Sequence, residues 1–252
     1  MSSDLDFIKR FTHWDASSMN ATGAWAERRR LAAAVRQVIE RLVEIDAPEK
    51  DLAAAADGLE RYSERLDQYP KNAKYEGWAE TAPAGDVAAF FDHSPLVGLA
   101  NPLSPPISLM ADRVNMTVEG RATFGSAFEG PPGALHGGFV AAAFDEVLGY
   151  VNSLTGTPGM TAKLSVDYKL ATPLHVELCF KAQLDRVEGR KIYASGKLFA
   201  EDRVTASAEA LFVAVNDEHL SDLYMRRQER EEERLGESLD DYDEADPSGG
   251  AE

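Results

Sequence analysis

The sequence has one cysteine, no long apolar run and few basic residues. Because Cys179 is the only cysteine among 252 residues, an internal disulfide and a cysteine-based zinc cluster are excluded. The 26 basic and 43 acidic residues give a net charge of −17, which argues against a nucleic-acid or anionic-membrane binder, since either needs a basic face. No apolar stretch approaches the roughly 20 residues of a membrane span. The first six residues lack the basic and apolar regions of a signal peptide, so we expect a cytoplasmic location.

The chain divides by pattern into zones of different composition. Residues 1–68 read as a helical hairpin, and residues 69–106 as an irregular, proline-rich connector. Residues 107–216 are rich in strand-forming residues around one apolar helix. Residues 217–252 hold 14 acidic and 4 basic residues, which predicts a charged helix over 220–235 and then a disordered tail.

The N-terminal zone has helical periodicity. Apolar residues recur at three- and four-residue steps in two runs: Leu31, Val35, Val38, Leu42 and Ile45, then Leu52, Ala55, Leu59, Tyr62 and Leu66. Asp46 is predicted to cap the second helix, with Pro48 in its first turn and Glu49 completing a capping box. The three arginines at 28–30 are interpreted as a solvated helix face.

The third zone predicts a sheet with one helix inserted after its second strand. The helix spans about 138–153, and its run of alanine and large apolar residues leaves little polar surface. A single sheet can bury such a helix by wrapping around it. The predicted strands are 107–113, 115–125, 160–170, 175–187, 191–200 and 204–215.

The start of this helix has features of an oxyanion site. Gly137 and Gly138 allow close backbone approach, and free N–H groups at the positive end of a helix suit a developing negative charge. A plain glycine turn into a core helix is the alternative. Asp145 lies two turns further on, inside the apolar helix, where a carboxylate is costly unless it is paired, hydrated or functional. A solvent-facing position is the alternative for Asp145, and Glu146 is its rival for the inward face.

The spacing of these residues predicts a shared site. Gly138 and Asp145 are about 10 Å apart along one helix, too far for both to contact one carbonyl group. In a two-fold dimer with antiparallel helices, Gly138 of one chain faces Asp145 of the other, so we expect a homodimer. Thr161 opens the next strand, where its hydroxyl is placed to orient water or the carboxylate, and His136 is placed to orient the loop. The remaining histidines have no metal-ligand spacing, so no metal site is assigned.

These residues resemble the hotdog-fold thioesterases of the phenylacetate-pathway and thioesterase-superfamily-member type. The resemblance covers about residues 93–216 and rests on the ordered set His136-Gly137-Gly138, then Asp145, then Thr161, with the run at 159–168 and Pro173. It implies an α+β hotdog fold, an antiparallel sheet wrapped around one helix, assembled into dimers and often tetramers. It also implies hydrolysis of acyl-CoA thioesters without a metal or an organic cofactor.

The resemblance also implies roles for individual residues. Asp145 would be the nucleophile or the general base for water, and Thr161 would assist it from the neighbouring strand. The Gly138 N–H would polarise the thioester carbonyl, and His136 would support the oxyanion loop. Gly137 and Glu129 are assigned to substrate binding.

One position departs from the phenylacetate type, which often has asparagine about six residues before the histidine. Gly130 stands there, after Glu129, and looks closer to the mitochondrial branch of the family. The alternatives to a thioesterase are a non-catalytic acyl-CoA binding module and a hotdog acyl-CoA hydratase. We further hypothesise that the N-terminal hairpin packs on the sheet or covers the acyl pocket.

Overall fold

The computed structural model describes residues 13–14, 21, 23–69, 92–156, 159–214 and 226. The chain comprises two compact units, Met1–Ala214 and Val215–Glu252, and Arg226 is the described residue of the second. The predicted helix over 220–235 and the acidic tail otherwise lie outside the described residues, as does most of the connector before Asp92.

Among its described residues, the first unit is an antiparallel sheet around one helix, with two helices before it, as the sequence predicts. The strand His13–Trp14 was not predicted, because the sequence reads its zone as a helical hairpin. The helices in the described part of the chain are α1 (Ala24–Glu44), α2 (Glu49–Asp67) and α3 (Gly137–Ser153). The strands there are β1 (His13–Trp14), β2 (Ser108–Asp112), β3 (Thr117–Thr123), β4 (Gly159–Tyr168), β5 (Glu177–Glu188), β6 (Lys191–Ala200) and β7 (Arg203–Ala214). The order across the sheet is β1-β2-β3-β5-β6-β7-β4, and every pairing is antiparallel.

Helix α3 is the core of this unit, and strands β3 to β7 pack against it. Its buried apolar residues fall at helical spacing, and Phe144 meets Phe180 of β5 edge to face, with ring centroids 5.4 Å apart. The sheet face that meets α3 carries small residues, so the backbones approach closely. At Gly120 a Cβ atom would lie 3.0 Å from Val147 Cγ2, so glycine permits this packing.

Helix α1 attaches to the rest of the unit through charged side chains. Arg29 Nε donates to Asp92 Oδ2 at 2.6 Å, and Asp92 is fully buried. The Arg36 guanidinium donates to the carbonyls of Leu99 and Asn101. The interpretation of the arginine run as a wholly solvated face is therefore wrong for Arg29, whose side chain is 13% exposed.

The predicted apolar stripes are largely exposed. Leu42 and Leu59 are 57% and 51% exposed, whereas Ala32, on a different side of α1, is buried. The side of α1 that contacts the unit carries Arg29, Ala32 and Arg36, at three- and four-residue steps.

The predicted capping box of α2 is also wrong. The helix begins at Glu49 with Pro48 in the N-cap position, and no side chain caps it. Residues before proline disfavour the helical region, so the chain reaches Pro48 in an extended conformation and Asp46 stays outside the first turn.

No helix among the described residues is long and apolar enough to cross a membrane.

Candidate active site

The loop that leads into α3 forms a hydrogen-bonded turn before the helix begins. Glu129 and Leu135 form a short antiparallel bridge, and Gly133 turns the chain between them at a φ of 71°, which favours glycine. Glu129 Oε1 accepts a hydrogen bond from the Gly133 N–H at 2.5 Å. Glu129, predicted to bind substrate, therefore places its carboxylate inside this turn.

The start of α3 has one engaged and one unengaged glycine N–H. His136 is the N-cap, and its Nδ1 accepts a hydrogen bond from the Gly138 N–H at 3.0 Å. The Gly137 carbonyl accepts from the Tyr168 hydroxyl at 2.7 Å. The Gly137 N–H has no hydrogen-bond partner within residues 92–156 and 159–214. The free donor at this helix terminus is therefore that of Gly137.

Asp145 and Thr161, which the sequence singles out separately, are brought together. The pairing of β4 with β7 changes register between Thr161 and Lys163, and such a bulge re-aims the side chains around it. Thr161 Oγ1 donates to Asp145 Oδ1 at 2.8 Å. This hydrogen bond fixes a half-buried carboxylate on α3 against the first residues of an edge strand.

A cavity of about 1020 Å³ borders this carboxylate, near the upper end of the usual size for ligand pockets. Its walls come from α1, from residues 95–106, from the 3-10 turn Ser126–Phe128 and from α3. Phe128 and Phe139 meet edge to face in its wall, with ring centroids 4.9 Å apart. Another concavity, of about 1130 Å³, lies on the sheet and contains none of the predicted site residues.

Glu146 is a further carboxyl on the wall of this cavity. The sequence presents it as the rival of Asp145 for the inward face, but both side chains line the cavity. Burial, reinforced by the charge of Asp145, raises the pKa of Glu146 to about 7, against a weaker opposing effect of the Ser94 hydrogen bond. Sequence analysis treated the two residues as alternatives because periodicity alone places only one of two adjacent residues on a given face.

Glu40 and Glu44 of α1 approach His175, a cluster that the sequence does not suggest. One carboxylate oxygen of each glutamate and one ring nitrogen of His175 lie within 4.8 Å of one another. The Glu40 carboxylate already accepts the N–H groups of Ser126 and Ala127. The Ser126 hydroxyl bridges Glu44 Oε1 at 2.6 Å and His175 Nε2 at 3.0 Å. The cluster therefore anchors the C-terminal half of α1 beside the cavity.

The region that holds this site resembles proteins of one superfamily. The sequence model of the thioesterase superfamily matches residues 132–207, which include the start of α3, Asp145 and Thr161. A crystal structure described as a thioesterase superfamily protein is 32% identical, with a TM-score of 0.66, and the alignment covers 74% of this chain and 94% of that one. The chain belongs to the thioesterase superfamily. The hotdog fold implied by the sequence is thus confirmed.

Two curated relatives from this superfamily match a shorter region. The acyl-coenzyme A thioesterase THEM4 of Bos taurus is 38% identical over 99 residues, which are 38% of this chain and 40% of that protein. The acyl-coenzyme A thioesterase THEM5 of Homo sapiens is 34% identical over 86 residues, or 34% of this chain and 35% of that protein. The chain thus spans about two fifths or less of the length of these relatives.

Proposed function

We propose that this member of the thioesterase superfamily hydrolyses acyl-CoA thioesters, with Asp145 acting on the thioester. The observation that carries the proposal is the hydrogen bond from Thr161 to Asp145, and Asp145 lines a largely apolar cavity. A carboxylate held in place beside space for an acyl chain is positioned to attack a carbonyl carbon or to take a proton from water. The two curated relatives are both named acyl-coenzyme A thioesterases, which supports CoA as the thiol carrier.

Each step has a residue of this chain assigned to it. In the general-base route, water adds to the thioester carbon and gives a proton to Asp145. The resulting oxyanion accepts a hydrogen bond from the free N–H at the start of α3. The carbon–sulfur bond then breaks, and the CoA sulfur leaves and receives the proton. In the nucleophilic route, Asp145 attacks the thioester carbon, the carbon–sulfur bond breaks, and CoA leaves as the thiolate to give an acyl anhydride. Water then cleaves the anhydride to the acid and the protonated Asp145 carboxyl, whose proton goes to the thiolate. Thr161 holds the carboxylate in both routes.

We assign the oxyanion donor to Gly137 rather than Gly138. The Gly138 N–H is occupied by His136, whereas that of Gly137 is unengaged among the described residues. In this assignment His136 and Gly138 together set the geometry of the helix start.

The site is proposed to form between two copies of the chain. Gly137 and Asp145 lie about 12 Å apart along one helix, so a second copy has to complete the pair around one carbonyl group. Strand β4 offers a surface for this assembly, because it pairs with β7 on one side and has no partner strand on the other among the described residues. Unpaired strand edges favour pairing with another chain.

The first test is release of free CoA from a panel of short, medium, long and aromatic acyl-CoAs, measured with a thiol reagent. Wild type is compared with Asp145→Asn, which keeps the side-chain shape and the capacity to accept from Thr161. We expect turnover by the wild type and none by the variant. Full activity in Asp145→Asn would exclude the assignment, and binding without turnover by the wild type would favour the binding-module alternative.

The donor and the shared site are tested together by replacing Gly137. Gly137→Pro removes the N–H at the first helical position, where proline is tolerated, and His136 already has the extended conformation that proline requires before it. Gly137→Ala keeps the N–H and is the matched control. Mixing inactive Gly137→Pro and Asp145→Asn chains should restore about a quarter of wild-type activity if each site draws on both chains of a dimer. No restoration in subunits shown to exchange would place both groups in one chain.

A further inference from the structure

The Glu146 carboxyl group has few hydrogen-bond partners among the described residues. Its one hydrogen bond within the described residues runs from the Ser94 hydroxyl to Oε1, at 3.5 Å. Ser94 is itself buried, and its Oγ already accepts the N–H groups of Leu96 and Val97 at 3.1 and 3.2 Å. The second carboxyl oxygen of Glu146 has no partner there. A long hydrogen bond to a shared hydroxyl leaves most of the hydrogen-bonding capacity of this carboxyl unused.

The other charged groups on the cavity wall do not supply a hydrogen bond to the Glu146 carboxyl group within the described residues. Arg36 is bonded to two backbone carbonyls, and Glu40 to two backbone N–H groups. His175 is bonded to Ser126. Asp145 contributes repulsion, which together with burial raises the pKa of Glu146. The pocket therefore presents an acyl chain with a carboxyl group whose second oxygen has no protein partner among the described residues.

A plain hydrocarbon chain is poorly suited to this wall. It would strip water from Glu146 and supply no hydrogen bond in exchange, and a buried polar group without a partner is costly. An acyl group that carries a hydroxyl would supply the bond. Because a hydroxyl both donates and accepts, it pairs with the carboxyl group whether that group is ionised or protonated.

The position of such a hydroxyl follows from the helix. Asp145 and Glu146 are consecutive, so their Cα atoms are about 3.8 Å apart and their side chains diverge by about 100° around α3. With Asp145 at the thioester carbon, Glu146 is within reach of a substituent a few bonds along the acyl chain. We assign this substituent to the third carbon, two bonds from the thioester carbon.

We propose that Glu146 is a specificity residue, which selects 3-hydroxyacyl thioesters by hydrogen bonding the hydroxyl group in the cavity between α1 and α3. The proposal rests on the thioesterase function proposed above. Glu146 binds the substrate in this assignment and takes no part in breaking the carbon–sulfur bond.

The test compares 3-hydroxydecanoyl-CoA with decanoyl-CoA on the same enzyme, so that losses of folded protein cancel in the ratio of kcat/KM. We expect the wild type to prefer the hydroxylated substrate by about tenfold, the effect of one hydrogen bond to a buried group. Glu146→Leu should abolish or reverse the preference by raising activity on decanoyl-CoA relative to the hydroxylated substrate. Glu146→Gln, whose amide still pairs with a hydroxyl, should keep part of it.

Failure of this proposal differs from failure of the proposed function. Equal kcat/KM values for the two substrates in the wild type, or an unchanged preference in Glu146→Leu, would overturn the role of Glu146 while leaving the hydrolase intact. If neither substrate releases CoA, the hydrolase proposal fails, and the preference is measured as the ratio of Kd values by calorimetry. About tenfold tighter binding of the hydroxylated compound, lost in Glu146→Leu, supports the role, and equal affinities overturn it.

Discussion

Replacing Glu146 with glutamine should make the stability of this protein less sensitive to pH. Burial and the charge of Asp145 raise the pKa of Glu146 from 4.5 to about 7. Below pH 4.5 the group is protonated in both the folded and unfolded chain and costs nothing. Between pH 4.5 and 7 the unfolded chain releases a proton that the folded chain retains, so the free energy of unfolding falls as pH rises.

The magnitude follows from the same shift in pKa. A tenfold difference in an equilibrium constant is about 1.4 kcal/mol, so above pH 7 the penalty in the folded state reaches at most about 3 kcal/mol, since Glu146 retains some solvent exposure. Between pH 5.5 and 8 the penalty grows by about 2 kcal/mol. Glu146→Gln removes the titration while retaining the side-chain shape, so the stability of the variant relative to wild type should increase by that amount over this interval.

Urea denaturation of both proteins at several pH values between 5.5 and 8 measures the difference. Glu64→Gln, which changes an exposed carboxylate on α2, is the matched control and should show a constant difference from wild type. A difference between Glu146→Gln and wild type that is equally constant across this range would refute the reasoning. It would mean that the Glu146 carboxyl is solvated in the folded protein.

Three further changes test other contacts. Thr161→Val removes the hydrogen bond to Asp145 and should lower kcat about tenfold in steady-state assays, whereas Thr161→Ser should retain most of the activity. Gly98→Ala should cost at least about 2 kcal/mol in urea denaturation, because the new Cβ would lie 2.3 Å from the Asp92 carbonyl oxygen; a cost below about 0.5 kcal/mol would contradict this packing. Asp92→Asn weakens the buried ion pair with Arg29 and should lower stability by about 3 kcal/mol, with an unchanged thermal midpoint as the contrary result.

The sheet and α3 were predictable because local pattern and packing agree there. Along much of β6 and β7, every second residue is apolar and buried, as Ile192 and Ala194 are in β6 and Ala208 and Ala210 are in β7. The surface of α3 is apolar apart from Asp145, Glu146 and the last turn, which predicts a helix enclosed by other elements. The predicted bounds of α3 differ from the observed ones by a single residue at the N-terminus.

The attachment of α1 was not predictable from hydrophobic periodicity. The stripe of large apolar residues lies on an exposed face, and contact is made by charged side chains that find carbonyls and carboxylates more than 60 positions away in the sequence. A charged helix face looks the same in sequence whether it meets water or a set of buried hydrogen-bond partners. Only the tertiary position of Asp92 distinguishes the two cases for Arg29.

The helix and the strand that carry the candidate site were predictable from the sequence, whereas most contacts of its side chains were not. The spacing placed Asp145 on α3 and Thr161 on the next strand, and the structure brings the two side chains into contact. The choice between the N–H groups of Gly137 and Gly138 depends on one torsion of the His136 ring, which no sequence pattern specifies. The inward position of Glu146 depends on the packing of residues 92–101 against α3, which is equally absent from local sequence.

Because α1 forms part of the cavity wall, some residues that set the shape of the pocket lie in a different segment of the sequence from Asp145 and Thr161. The hydrogen-bonded pair Asp145 and Thr161 depends on α3 and β4, whereas part of the cavity wall belongs to α1. Substitution of Ala33 or Gln37 by a larger residue would narrow the space for the acyl group without touching either partner of the Asp145–Thr161 bond. Natural variation or design can therefore alter which acyl groups fit by changes within residues 24–44 alone, while the hydrolytic residues stay constant.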